Sequence, residues 1–250
     1  MGERATLFGV PLDLLTMEET VAACAALVES GRPAEHVSLN AGKVVMMRDV
    51  PGLRDAVAGC DLSSADGQSV VWAGRLCGLD VPERVAGIDL MGELIDLAAH
   101  RGWPVYFLGA RAEVLERFIE GVRHSHPALV IAGVRDGYFD DDAAVAEAVR
   151  VSGARLLFVG ISSPRKELFL AERLASIGPV LAVGVGGSFD VWAGLTSRAP
   201  VWMQRSGLEW LYRFGQEPRR MWKRYLVGNA RFVVMTVREW WRVRVTGKGR

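Results

Sequence analysis

Short, nearly unbroken apolar runs alternate along this chain with stretches in which apolar residues recur every three or four positions. The first run, Thr6 to Leu12, is broken by Gly9 and reads as a short strand with a turn. Thr16 to Glu29 has helical spacing, and Thr16 with Glu19 makes a capping box at its start. His36 to Asn40 reads as a strand ending in polar groups, followed by the helical Lys43 to Met47. Asp61 to Ala65 is the next strand, and Gly67 turns the chain into a helix. Further on, the strands Trp103–Gly109, Leu129–Gly133, Ala154–Gly160 and Val180–Gly187 are separated by helices over Ala112–Ser125, Asp141–Ser152 and Glu167–Ala175. Strands apolar on both faces, alternating with amphipathic helices, predict an α/β fold: a Rossmann-like, mostly parallel sheet with helices on both sides. Ala199-Pro200 marks the predicted end of this unit, so residues 1–200 form one domain and residues 201–250 a helical appendage.

Composition narrows the picture. At 250 residues, half of them hydrophobic and 24% charged, the chain is globular with room for a large core. Cys24, Cys60 and Cys77 have no C-x-x-C spacing, which argues against a zinc site or disulfide framework and for a reducing, cytoplasmic setting. Met1 to Thr6 lacks the basic and then apolar pattern of a secretory leader, and no charge-free apolar run reaches membrane-spanning length.

The net charge of +1 conceals an uneven distribution. From Arg205 onward there are 12 Lys and Arg against 3 Asp and Glu, while the rest of the chain holds 18 against 26. Trp210, Trp222, Trp240 and Trp241 lie among these arginines. Arginine with tryptophan suits an interfacial helix on anionic lipid, nucleic-acid binding through phosphates and stacking, or a packed helical hairpin with a solvated basic face.

Candidate chemistry gathers at predicted strand ends, where open α/β sheets bind their ligands. Asp66 is placed to take a proton from an attacking hydroxyl, although most Asp-Gly pairs simply hold a turn. Ser38 and Asn40 end the preceding strand and suit a sugar or nucleotide, or an ordinary turn. Gly109 and Gly160 precede helices whose N–H groups can receive phosphate, but neither lies in a dinucleotide or P-loop fingerprint. Gly184 to Ser188 comes closer, without a helix clearly following, so a nicotinamide cofactor has weak support. Asp140-Asp141-Asp142 has the D-x-D form of a metal-nucleotide site, yet leads directly into a helix whose first turn favours acids. His36, His100, His124 and His126 lack ligand spacing, and no serine sits in a G-x-S-x-G elbow.

Several segments together resemble the WecG/TagA/CpsF family of bacterial glycosyltransferases, over about Phe8 to Asn229. They are Ser38-Leu39-Asn40; Ala65-Asp66-Gly67; Arg84 through Leu90; Phe107-Leu108-Gly109; Gly137-Tyr138-Phe139; Pro164-Arg165-Lys166-Glu167; Val185 through Asp190; Arg198-Ala199-Pro200; and Gly207 through Arg213 with Glu217 through Arg220. Each is weak alone; nine in this order are specific.

The resemblance implies inverting transfer of a sugar from a UDP-sugar donor to a polyprenyl-diphosphate-linked sugar acceptor, in cell-envelope or exopolysaccharide synthesis. N-acetylmannosamine, its uronic acid and hexoses are all donors compatible with it. It implies Asp66 as the base, with the Ser38 hydroxyl beside it where threonine is usual. It further implies Arg84 and the appendage arginines, here Arg213, Arg220 and Arg224, at the diphosphate. Asn40, Asp89, Gly109, Glu167, Gly186 and Asp190 lie in the matching segments and are further substrate-binding candidates. With arginines at the diphosphate, no metal cofactor is expected. The appendage is expected to dock on the inner face of the plasma membrane, with no nucleic acid as partner; self-association is left open. Lys166 stands where glutamine is common, a charge in place of an amide that bears on donor choice. The alternatives are a nucleotide- or nucleic-acid-binding module with a basic tail and a nicotinamide oxidoreductase.

Overall fold

The computed structural model describes residues 3–205, 207–216 and 227–246. Six strands form one parallel sheet: β3 (Ala34–Leu39), β4 (Leu62–Ala65), β5 (Val105–Gly109), β6 (Ile131–Arg135), β7 (Leu156–Gly160) and β8 (Leu181–Gly184). Their spatial order is β4-β3-β8-β7-β5-β6. A separate antiparallel hairpin, β1 (Arg4–Leu7) with β2 (Val10–Asp13), pins itself beside β4, where Asp13 accepts from Ser63 N–H at 2.7 Å. The single early strand read from the sequence is therefore two, folded at Phe8-Gly9.

Helices cover both faces. They are α1 (Met17–Glu29), α2 (Ala41–Asp49), α3 (Leu53–Ala58), α4 (Gln68–Leu76), α5 (Gly87–Arg101), α6 (Ala112–Ser125), α7 (Asp142–Val151), α8 (Arg165–Ile177) and the short α9 (Ser188–Trp192). The capping box at Thr16 and Glu19 is formed, with 2.8 and 3.2 Å bonds. The apolar runs in β5 and β8, and in β7 as far as Val159, are buried because every side chain meets a helix layer on one face or the other. One core lies under α1, α5 and α6, where Phe107, Phe118, Phe158 and Phe189 pack ring against ring. A second lies under α7 and α8, and a third joins α2 and α4 to the hairpin.

Two expectations shift. The strand predicted at Leu129–Gly133 pairs only from Ile131, because a turn bonding Leu129 N–H to His126 occupies the first residues. A helix does follow Gly184 to Ser188: α9, too short to show periodicity, exists to drive Phe189 into the core beneath Gly160. Its ring lies so near that a Cβ on Gly160 would be 2.6 Å away.

Beyond Pro200 lie α10 (Val201–Arg205), α11 (Glu209–Gln216) and α12 (Gly228–Thr246). The last of these packs on α2 and the hairpin: Phe232 is buried against Phe8 at 5.4 Å between ring centres, and Glu239 accepts from Phe8 N–H at 3.2 Å. Val233, Val237 and Trp241 face outward beside arginines. Among the described residues, no helix is long and apolar enough to cross a membrane.

Candidate active site

The carboxyl ends of β3, β4 and β8 converge with the start of α5. Asp66 follows β4 directly; its N–H donates to Leu39 O at 2.9 Å, locking it to the end of β3. Its Oδ1 accepts from Gly87 N–H, the first residue of α5, at 3.0 Å. The carboxylate therefore sits against the positive, N-terminal end of α5. Its other oxygen has no hydrogen bond among the described residues. Ser38 is adjacent: a Cβ on Gly87 would fall 3.1 Å from its hydroxyl and 3.8 Å from Gly184 O. The Ser38 hydroxyl is buried without a partner, an orphan of the kind native folds rarely keep. Asn40 caps α2 through Lys43 N–H at 3.0 Å and touches the position a Cβ on Gly67 would take.

Two arginine–carboxylate pairs rim this edge. Arg84 meets Glu209 of α11 at 2.8 Å, and Arg198 grips Asp89 of α5 through two bonds of 2.5 and 2.6 Å. Those bonds hold the Arg198 guanidinium above its ordinary range, and the charges of Glu209 and Asp66 add to the effect. Both pairs are only partly buried, so an incoming anion can compete for the guanidiniums. Glu209 also ties the segment after Pro200 to the loop that carries Arg84.

A different cluster is sealed beneath the edge. Glu167, at the start of α8, accepts from Lys43 at 2.8 Å and Ser163 at 2.8 Å, with Lys166 at 3.4 Å. Burial alone would raise the Glu167 carboxyl, but Lys166 and Lys43 hold it down at about 2. Burial, with Lys43 adding to it, lowers the Lys166 ammonium to about 8. On β3, burial raises Glu35 to about 8 and keeps His36, bonded to Ser64 at 3.0 Å, neutral down to about 3. The Lys166 side chain lies along Gly184, where a Cβ would come within 2.7 Å of it.

Residues 5–246 match the model of the Glycosyl transferase WecG/TagA/CpsF family. The chain belongs to that family. It is similar to the N-acetylglucosaminyldiphosphoundecaprenol N-acetyl-beta-D-mannosaminyltransferase of Bacillus spizizenii, 36% identical over 176 residues, covering 70% of this chain and 68% of that protein. The protein of the same description in Bacillus subtilis is 33% identical over 172 residues, covering 69% and 67%.

Within this family frame, the structure brings Asp66, Ser38, Asn40, Arg84 and Asp89 to one edge. Glu167 is fully buried, so it positions neighbours instead of facing solvent. Gly109 lies four strands from β4, roughly 19 Å at ordinary strand spacing. Its φ of +141 and its approach to Gly160, where a Cβ would clash at 2.4 Å, account for glycine there by packing. Gly186 opens the turn after β8, and the Asp190 carbonyl accepts from Leu195 and Thr196 N–H. Arg213 lies on α11, and Arg220 and Arg224 lie outside the described residues. The acids before α7 behave as helix-start residues: Asp141 caps it and Asp142 pairs with Arg165. Among the described residues, no group of three or more His, Cys, Asp or Glu is arranged to hold a metal.

Three contributors escaped the sequence reading. Gly87 supplies the N–H that orients Asp66; Arg198 lay in a matching segment without an assigned role; and Lys43 was read only as part of a helix. Only Arg198 carried a usable signal, as an arginine in the matching Arg198-Ala199-Pro200 segment.

Proposed function

We propose that this protein transfers an N-acetylmannosamine-type sugar, or a related hexose, from a UDP-sugar to N-acetylglucosamine carried on a polyprenyl diphosphate, with inversion. The names of the relatives support the acceptor and the sugar class. The observation that carries the mechanism is the Asp66 carboxylate, with one oxygen held by Gly87 N–H and the other without a hydrogen bond among the described residues, beside the Ser38 hydroxyl, which likewise has none there. Asp66 accepts the proton of the acceptor hydroxyl as that oxygen bonds to the anomeric carbon. The bond from carbon to the diphosphate oxygen breaks, and its electron pair leaves with UDP. Ser38 orients the acceptor or Asp66 through its free hydroxyl. Arg84 and Arg198, released from Glu209 and Asp89, neutralise the departing diphosphate, joined by Arg213, Arg220 and Arg224. With cations supplied this way the transfer runs without a metal, and the basic, tryptophan-bearing segment after Pro200 meets the bilayer where the acceptor lies.

The test is UDP release from a panel of UDP-sugars with a short-chain lipid-diphosphate-GlcNAc acceptor, with and without EDTA. Acceptor-dependent release that survives EDTA is expected, and its loss in Asp66→Asn supports the base assignment. No release with any donor overturns the substrate assignment, and release abolished by EDTA overturns metal independence.

A further inference from the structure

At the opposite end of α2 from Asn40, about 12 Å along the helix axis, lies a second feature that glycosyl transfer does not use. A groove of about 400 Å³ is walled by the hairpin turn at Phe8-Gly9, by Arg48 at the end of α2, by Arg54 of α3 and by Met235, Arg238, Glu239 and Arg242 of α12. Four guanidiniums from three helices thus face one space with a single carboxylate among them.

That carboxylate is already engaged. Glu239 accepts from Phe8 N–H at 3.2 Å and from Arg242 at 2.6 and 3.1 Å. Arg231 beside the groove is likewise matched, to Asp49 at 2.6 Å. Arg48, Arg54 and Arg238 make no ion pair among the described residues, and all three are exposed. Three guanidiniums without an ion-pair partner among the described residues line this groove beside Phe8 and Met235 and leave their donors open to an anion. Their planar donors are suited to the tetrahedral oxygens of phosphate. The groove is also firmly built: Phe8 holds a left-handed φ of 55, fixed by Glu239 and by the Phe232 ring.

We propose that this groove binds a phosphate-bearing anion, either the headgroup of an anionic lipid or a soluble phosphate or diphosphate. The proposal does not depend on the catalytic reading. The probes are vesicles of phosphatidylglycerol, vesicles of phosphatidylcholine and inorganic pyrophosphate, each offered to the full chain. The variant is Arg48→Ala/Arg54→Ala/Arg238→Ala, compared with Arg123→Ala on the exposed face of α6, which removes a charge elsewhere. Removing three groove cations should weaken partitioning onto phosphatidylglycerol by about tenfold or more, with a smaller loss at high salt. If pyrophosphate binding alone is lost, the ligand is a soluble phosphate. If vesicle binding alone is lost, it is a lipid headgroup. Both outcomes support the groove. Equal behaviour of the triple variant and Arg123→Ala toward every probe, with both folded by thermal melt, would overturn it.

Discussion

Two clusters built from the same kinds of residue sit on either side of the β3–β8 strand ends, and they do opposite things. On the open side, Asp66, Asp89, Arg84, Arg198 and Glu209 are partly exposed and paired across elements, with one Asp66 oxygen left over. On the closed side, Lys43, Lys166 and Glu167 are almost wholly buried, and their charges are spent on one another. Burial decides the difference. An ion pair at the edge can exchange its partner for a substrate at little cost, whereas a sealed one can lose a partner only by leaving a charge stranded in a low dielectric. A charged residue near a strand end is therefore a candidate for chemistry only once its exposure is known.

The sharpest way to break this comparison is to neutralise one acid from each side. Asp66→Asn keeps the oxygen that accepts from Gly87 N–H, so melting temperature should hold while turnover falls about 10²–10⁴-fold. Near-normal turnover would remove Asp66 from the base role. Glu167→Gln should do the reverse, leaving two buried ammonium groups without their anion and costing about 3–5 kcal/mol in urea unfolding. A variant as stable as the parent would mean that the lysines find water or another anion.

A smaller effect is expected at the rim. Arg84→Gln should lower turnover about tenfold to a hundredfold, with the loss mainly in kcat if the guanidinium acts on the leaving diphosphate. A change confined to KM would assign Arg84 to ground-state binding instead. Glu35 gives the subtlest test. Its folded pKa is raised, so it binds a proton in the native state that the unfolded chain has released, and stability falls as pH rises from about 4.5 to 8. His36, with its pKa lowered, opposes this only below about 6.5, so the net decline should appear between pH 6.5 and 8. Lys166, also lowered, then adds stability from about 8 to 10.5. In Glu35→Gln the decline below pH 8 should vanish while the rise from about 8 to 9 remains, before the raised thiols of Cys24 and Cys60 oppose it.

Much of the scaffold was legible because burial on both faces leaves an apolar run that sequence displays directly, as in Val105–Gly109 and Leu156–Gly160. The Thr16 cap was legible because its chemistry is local. The site was legible in part: Asp66, Ser38 and Asn40 stand at strand ends that the pattern located. What sequence could not show was pairing at a distance. Glu209 lies 125 positions from Arg84 and Arg198 lies 109 from Asp89, and no local rule couples them. Lys43 was read only as part of a helix and Lys166 as a charge bearing on donor choice; that both are buried against Glu167 depends on a contact between α2 and α8 that no local rule supplies. The helix at Gly87–Arg101 went unlisted although its N–H orients the central carboxylate.

The bond between Phe8 N–H and Glu239 joins residues 231 positions apart, and it sets an order of events during synthesis. On the ribosome the hairpin emerges long before α12, so Phe8 lacks its Phe232 and Glu239 partners until the end of synthesis. A chain interrupted before Gly228 is expected to leave an open apolar seam at Phe8, of the type that chaperones hold and that aggregates when they do not. Such a truncation should partition into the insoluble fraction on expression. Full solubility would show that the hairpin can shelter Phe8 unaided.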